Sequence, residues 1–166
     1  MFNLTFVDSA EISFEVSKIL SENILYRPVN RGKYVSLILS SEVRKYKENL
    51  KYCCEVSEFY DFVTNLKEKY VNLAVKSLYE FLIPFTSYFT KQGDLSKNDV
   101  TNMVKSVEDT ILGEVIDDRY VIESMVRKSP ILDSSSYITV SFEFYQFNPV
   151  EICQSQSYIK LFSLTS

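Results

Sequence analysis

Between Tyr137 and Phe147 the chain alternates without a break, with Ile138, Val140, Phe142 and Phe144 on one side and Tyr137, Thr139, Ser141, Glu143 and Tyr145 on the other. Period-two alternation marks a strand with one face in a core and one in water. The chain must therefore build a sheet to receive this segment. The N-terminus repeats the pattern: Phe2, Leu4 and Phe6 alternate with Asn3, Thr5 and Val7, and Ile12, Phe14 and Val16 with Ser13, Glu15 and Ser17. Asp8-Ser9-Ala10-Glu11 between them has turn chemistry. This predicts an opening hairpin of 2–7 and 11–16, in preference to a helix from Asp8 with Glu11 completing a capping box. After the Asn148-Pro149 break, residues 158–164 read as a return strand.

The middle of the chain has helical spacing. Ser17 to Leu25 reads as a short helix with Ile19, Leu20 and Ile24 on one side, ended by Pro28 and an Asn30-Arg31-Gly32 turn. Val35, Ile38, Leu39, Val43, Tyr46 and Leu50 recur every three or four residues and predict a helix over about 33–50. Phe59, Phe62, Val63, Leu66, Tyr70, Leu73, Leu78, Phe81 and Leu82 form the longest apolar stripe, stopped by Pro84. It predicts a central helix about 40 Å long at ~1.5 Å per residue. Gly93-Asp94 and the polar run to Asp99 form a loop. Val100, Met103, Val104, Val107, Ile111 and Val115 then predict a helix over about 97–116. Residues 119–126 fit strand or helix, and Pro130 with Asp133-Ser134-Ser135-Ser136 reads as loop. No βαβ series alternates along the chain, which argues against a doubly wound parallel sheet. The expected fold is a single α+β domain, residues 1–166. Its mostly antiparallel sheet is formed by N- and C-terminal strands, with three to four helices packed on one face.

No histidine occurs in the 166 residues. Imidazole is the side chain that titrates between pH 5 and 8 and the commonest metal ligand, so Ser-His, Cys-His and His-metal sites cannot be built from this chain. Three glycines are too few to write a phosphate-binding glycine loop. Cys53, Cys54 and Cys153 are odd in number and two are adjacent, which suggests neither a disulfide framework nor a zinc site. The chain lacks a signal sequence and a long apolar run, and the expectation is an intracellular protein, cytoplasmic or nuclear, with no transmembrane segment. No catalytic residue, cofactor or metal ligand is indicated. Ala occurs twice and Arg five times against thirteen Lys, usage that fits a low-GC genome such as that of a virus.

Charge is unevenly placed around a formal net of -4. Residues 27–51 hold Arg27, Arg31, Lys33, Arg44, Lys45, Lys47 and Lys51 against two acids. Residues 94–124 hold eight acids, among them Glu108, Asp109, Glu114, Asp117 and Asp118, against three bases. Either stretch is what an ordinary solvated helix face would show. Taken as functional, they are complementary patches that meet a protein partner or another copy. The sequence-based expectation is a non-enzymatic interaction or assembly protein, such as a viral accessory or structural protein, acting through aromatic and charged surfaces as a homo-oligomer. The alternative is a nucleic-acid-binding module using the basic segment 27–51, with Tyr34 and Tyr46 available to stack on bases.

Overall fold

The alternating C-terminal segment becomes the strand that the whole sheet is arranged around. A computed structural model of the chain describes residues 3–20, 26–32, 34–96 and 100–147, the stretches 26–31 and 35–38 by their backbone alone. The elements run β1 (Leu4–Val16), β2 (Tyr26–Arg31), β3 (Tyr34–Leu39), α1 (Ser41–Val56), α2 (Phe59–Lys69), β4 (Leu73–Pro84), the one-turn α3 (Phe85–Tyr88), α4 (Val100–Ile111), a 3-10 turn (Asp118–Tyr120), β5 (Val121–Ile131) and β6 (Ser136–Phe147). One sheet has the order β1-β6-β4-β5, and β2 with β3 forms a separate two-stranded sheet. The β1–β6 and β6–β4 pairs are antiparallel, and β4–β5 is parallel. This is the expected α+β class with a mostly antiparallel sheet, and the strands from the two ends of the chain do lie side by side.

Alternation decides which face of the sheet is covered. Ile12, Phe14 and Val16 of β1, Val75, Tyr79, Phe81 and Ile83 of β4, and Ile138, Val140, Phe142 and Phe144 of β6 all belong to the buried cluster. α1 contributes Val43, Tyr46, Leu50 and Cys54, α2 contributes Phe59, Val63 and Leu66, and α4 contributes Met103, Val107 and Ile111 to the same cluster. Each helix thus buries one stripe at spacings of three and four. Phe59 stacks on Phe142 with ring centroids 5.1 Å apart, and the Phe62 edge meets Phe144 at 5.7 Å. The opposite face carries Glu11, Glu15, Ser141, Glu143, Lys76 and Glu80, all exposed or half-buried, and among the described residues no helix buries it. Among the described residues no helix is long and apolar enough to cross a membrane.

Several expectations are corrected. Residues 4–16 form one strand rather than a hairpin. The turn-prone Asp8-Ser9 stretch is absorbed by a β-bulge between Phe6 and Asp8 along β6. The bulge reverses the alternation, so Val7 packs against the core while Phe6 lies exposed on the outer face, edge-on to Tyr145 at 5.8 Å. The short helix predicted from Ser17 is absent over 17–20, although Ile19 and Leu20 are buried as expected; residues 21–25 lie outside the described residues.

The helix expected over 33–50 is split. Residues 34–39 pair with 26–31 as a hairpin around Gly32, which takes the positive φ of +71 that such a tight turn requires. Helix begins only after Ser40, whose hydroxyl accepts from the Val43 N–H at 3.3 Å.

The long helical stripe also divides. Helix stops at Lys69, and residues 73–84 are a strand paired on both sides. Leu73, Val75, Tyr79, Phe81 and Ile83 are buried there, a period of two that the wider three-and-four spacing had masked. The sheet is therefore not made of terminal strands alone, since β4 and β5 come from the middle of the chain. Pro130 lies in β5 opposite Ile83 rather than in a loop, a position open to proline because β5 is an edge strand. Residues 158–164 lie outside the described residues. Both edges of β6 are occupied, by β1 and β4, so no further strand can pair beside it.

Candidate functional site

The structure gathers the predicted acidic residues around one cleft, and of the basic ones it describes the side chains of the four on α1. Glu108 and Asp109 end α4, Glu114 lies on the turn beyond it, and Asp117 and Asp118 introduce the 3-10 turn. With Lys67 of α2, all five line one open cleft of about 530 Å³. Lys67 donates from Nζ to the Val115 carbonyl at 2.7 Å, and it also lines an adjoining hollow of about 250 Å³ with Tyr70, Ile116, Asp117 and Tyr120.

Of the basic residues, Arg44 and Lys45 are exposed on α1, while Lys47 and Lys51 are half-buried. Arg27 and Arg31 are placed by their backbone in β2, and Lys33 lies outside the described residues. Lys51 forms an ion pair with Glu114. The basic and acidic stretches therefore touch within one chain. Tyr34 is exposed, but Tyr46 is buried in the core and cannot reach a base for stacking.

The acids do different work. Asp117 caps the 3-10 turn: its Oδ1 accepts from the Arg119 N–H at 3.1 Å and its Oδ2 from Arg119 Nη2 at 2.5 Å. Hydrogen bonding from the Arg119 guanidinium, then from its backbone, holds the Asp117 carboxyl at about 2. A general acid needs a carboxyl kept protonated near neutral pH, and Asp117 is driven the other way. Glu108 turns inward. Its Oε2 accepts from Tyr79 Oη at 2.8 Å and from Ser124 Oγ at 3.4 Å, and Ser124 Oγ lies 2.9 Å from Ser77 Oγ. Burial, and then the Glu108 carboxylate, push the Tyr79 phenol well above its ordinary value. This network ties β4, β5 and α4 together. Tyr79 was invisible while 73–82 was read as helix; a period-two count over Leu73 to Ile83 is the signal that finds it.

Cys54 is not poised for chemistry. Cys53 and Cys54 are both free thiols, and burial pushes Cys54 up to about 12, so it stays a protonated, buried apolar group. Cys153 lies outside the described residues. Among the described residues, no group of three or more cysteine and carboxylate side chains is placed to hold a metal ion.

The feature that sequence reasoning missed lies beside the acidic cleft. Tyr120, Ile122, Met125, Val126 and Leu132 are all exposed, and they follow one another along β5 and its flanks. Among the described residues β5 is paired only to β4. On its outer face Glu123 pairs with Lys76 at 2.6 Å and Arg127 with Glu80 at 3.4 Å. Residues 119–126 fitted strand and helix equally, so nothing local marked the segment as a sheet edge. No protein-family model matches this sequence, and no curated protein sequence does either.

Proposed function

We propose that this chain is a non-enzymatic interaction or assembly protein that works through aromatic and charged surfaces. The observation that carries the reading is the set of exposed apolar side chains from Tyr120 to Leu132 along and beside an edge strand, with Tyr120 lining a hollow that shares Lys67 and Asp117 with the carboxylate cleft. Apolar groups exposed on both faces of an edge strand, Met125 on the outer face and Val126 on the helix side, with charges beside them, favour a protein contact, because burying them releases water while the charges set orientation. The free thiols Cys53 and Cys54 fit a reducing, intracellular setting.

The test is light scattering of the purified full chain, alone and with material from its source. A defined oligomer or a stable complex is expected, lost in Ile122→Lys with Met125→Lys while the circular dichroism is unchanged. A turnover that disappears when Tyr79 or a single carboxylate is replaced in a folded variant overturns the reading.

A further inference from the structure

The two edges of the four-stranded sheet are not equivalent, and one of them is complementary to itself. A sheet edge presents a row of unpaired N–H and C=O groups, which native proteins blunt with bulges, charge and proline. Both edges carry a bulge, β1 between Phe6 and Asp8 and β5 at Ile122, the extra residue between Val121 and Glu123; what separates them is charge, since the charged residues of β1, Asp8, Glu11 and Glu15, are all acids. Two copies of β1 set side by side would oppose like charges. β5 carries both signs, in the order Glu123, Arg127, Lys128. Its proline lies near the C-terminal end, at Pro130, and its lysine is turned aside: Lys128 Nζ lies over the Tyr88 ring, 5.2 Å from the centroid.

We propose that two copies of this chain pair antiparallel through the free edge of β5, about a twofold axis at Met125, joining their sheets into one. The inference rests on the interaction-protein reading and names the partner. In this register Glu123 stands opposite the partner's Arg127, and Arg127 opposite the partner's Glu123. The pairing within each chain extends the match, because Lys76 lies beside Glu123 and Glu80 beside Arg127 in the β4–β5 register. Each row across the joined sheet then alternates in sign: Lys76, Glu123, the partner's Arg127, the partner's Glu80. The row between these is apolar. Leu78 is the register partner of Met125, so it reads Leu78, Met125, the partner's Met125, the partner's Leu78. Moving the axis to Ser124 or Val126 sets Met125 opposite Glu123 or Arg127 and breaks both rows. Opposite-charge and apolar cross-strand pairs stabilise an antiparallel ladder, and like charges destabilise it. Pairing over 123–127, beyond the bulge at Ile122, supplies about five backbone hydrogen bonds, roughly half the ~10 of a specific interface, and the charged and apolar rows add to them. A twofold axis makes the contact closed, so association stops at the dimer.

The test uses sedimentation of the full chain and two single charge reversals. Wild type is expected at twice the monomer mass. Arg127→Glu alone sets Glu123 against a glutamate twice across the axis, and Glu123→Arg alone sets Arg127 against an arginine twice. Each should weaken the homodimer on the order of 10-fold or more. An equimolar mixture of the two variants restores both opposite-charge pairs and should recover the dimer mass. Single variants that dimerise as well as wild type, or a mixture that stays monomeric although both variants are folded, overturn the proposal.

Amide exchange of wild type provides a second readout, with protection within 123–127 that rises with protein concentration. Protection independent of concentration in a monomer means that another part of the chain, such as 148–166, covers this edge, and also overturns it. A monomer that still forms a stable complex with a different protein sinks the self-pairing and leaves the interaction reading intact. A monomer with a turnover abolished by one substitution sinks both.

Discussion

β1 and β5 close the same sheet on opposite sides, yet they are held in place by different forces. β1 is fastened by burial. Ile12, Phe14 and Val16 reach into the core, with Phe14 only 1% exposed. Its outer face is stitched to β6 by Ser141 Oγ donating to Glu11 at 2.9 Å and by the Ser13–Thr139 hydroxyl pair at 3.0 Å. β5 is fastened by its parallel backbone ladder to β4 and by the Tyr79–Glu108–Ser124 network. Its larger side chains stay in water, with Ile122 48%, Met125 52% and Val126 37% exposed. β1 is an edge strand as well, but its apolar side chains other than Phe6 are at least partly covered. A strand held by one ladder and a polar clip still carries apolar surface and unsatisfied backbone groups, and a contact with a second body would satisfy both.

The widest gap between the two edges should appear in stability. Phe14→Ala removes a fully buried ring and should cost about 3–5 kcal/mol in urea denaturation. Met125→Ala, measured at concentrations where the chain is monomeric, should cost no more than about 0.5 kcal/mol. Equal costs would erase the distinction.

Tyr79→Phe is the next largest change. It deprives Glu108 of its buried donor and should cost roughly 1–2 kcal/mol. It should also speed amide exchange in β5 more than in β1, because the lost bond belongs to the clip. Ser40→Ala acts on the other side of the comparison. Loss of the α1 N-cap should cost about 1 kcal/mol and leave β5 exchange unaltered.

The smallest effect is electrostatic and lies where the chain enters β5. Asp117 titrates at about 2 in the folded chain against an ordinary 3.8. A carboxyl depressed by folding stabilises the native state above its unfolded value and loses that contribution as pH falls through the folded one. The 3-10 turn before β5 should therefore loosen between about pH 4 and 2, and Arg119→Ala should return the Asp117 titration toward 3.8. A carboxyl-carbon NMR titration of the two proteins reads both outcomes, and an unmoved Asp117 would show that Arg119 is not the cause.

Legibility followed the same division. β6 could be read residue by residue because a strand with one face in the core and one in water writes a strict period of two. The helix at 100–111 was as plain, with Met103, Val107 and Ile111 buried as their spacing required. β4 was not legible. It is the innermost strand of the sheet beside β6, and Ala74, Leu78 and Leu82 on its outer side blur the alternation enough for a helical count to fit. The hairpin at 26–39 failed for a related reason, since Val35, Ile38 and Leu39 satisfy three-and-four spacing as well as a strand. The acidic residues were found by composition, but not the separate roles of Glu108, which clips β5 to α4, and Glu114, which meets Lys51 from 63 residues away.

The order of residues alone determined which segments are amphipathic, with what period, and where each sign of charge collects. Those are properties of a short window, set by the geometry of one strand or one helical turn. Tertiary structure decided which strands are central and which are edges, which acids turn inward, and that the basic and acidic stretches meet. These depend on hydrogen bonds and packing between residues far apart in the chain, and no local pattern contains them.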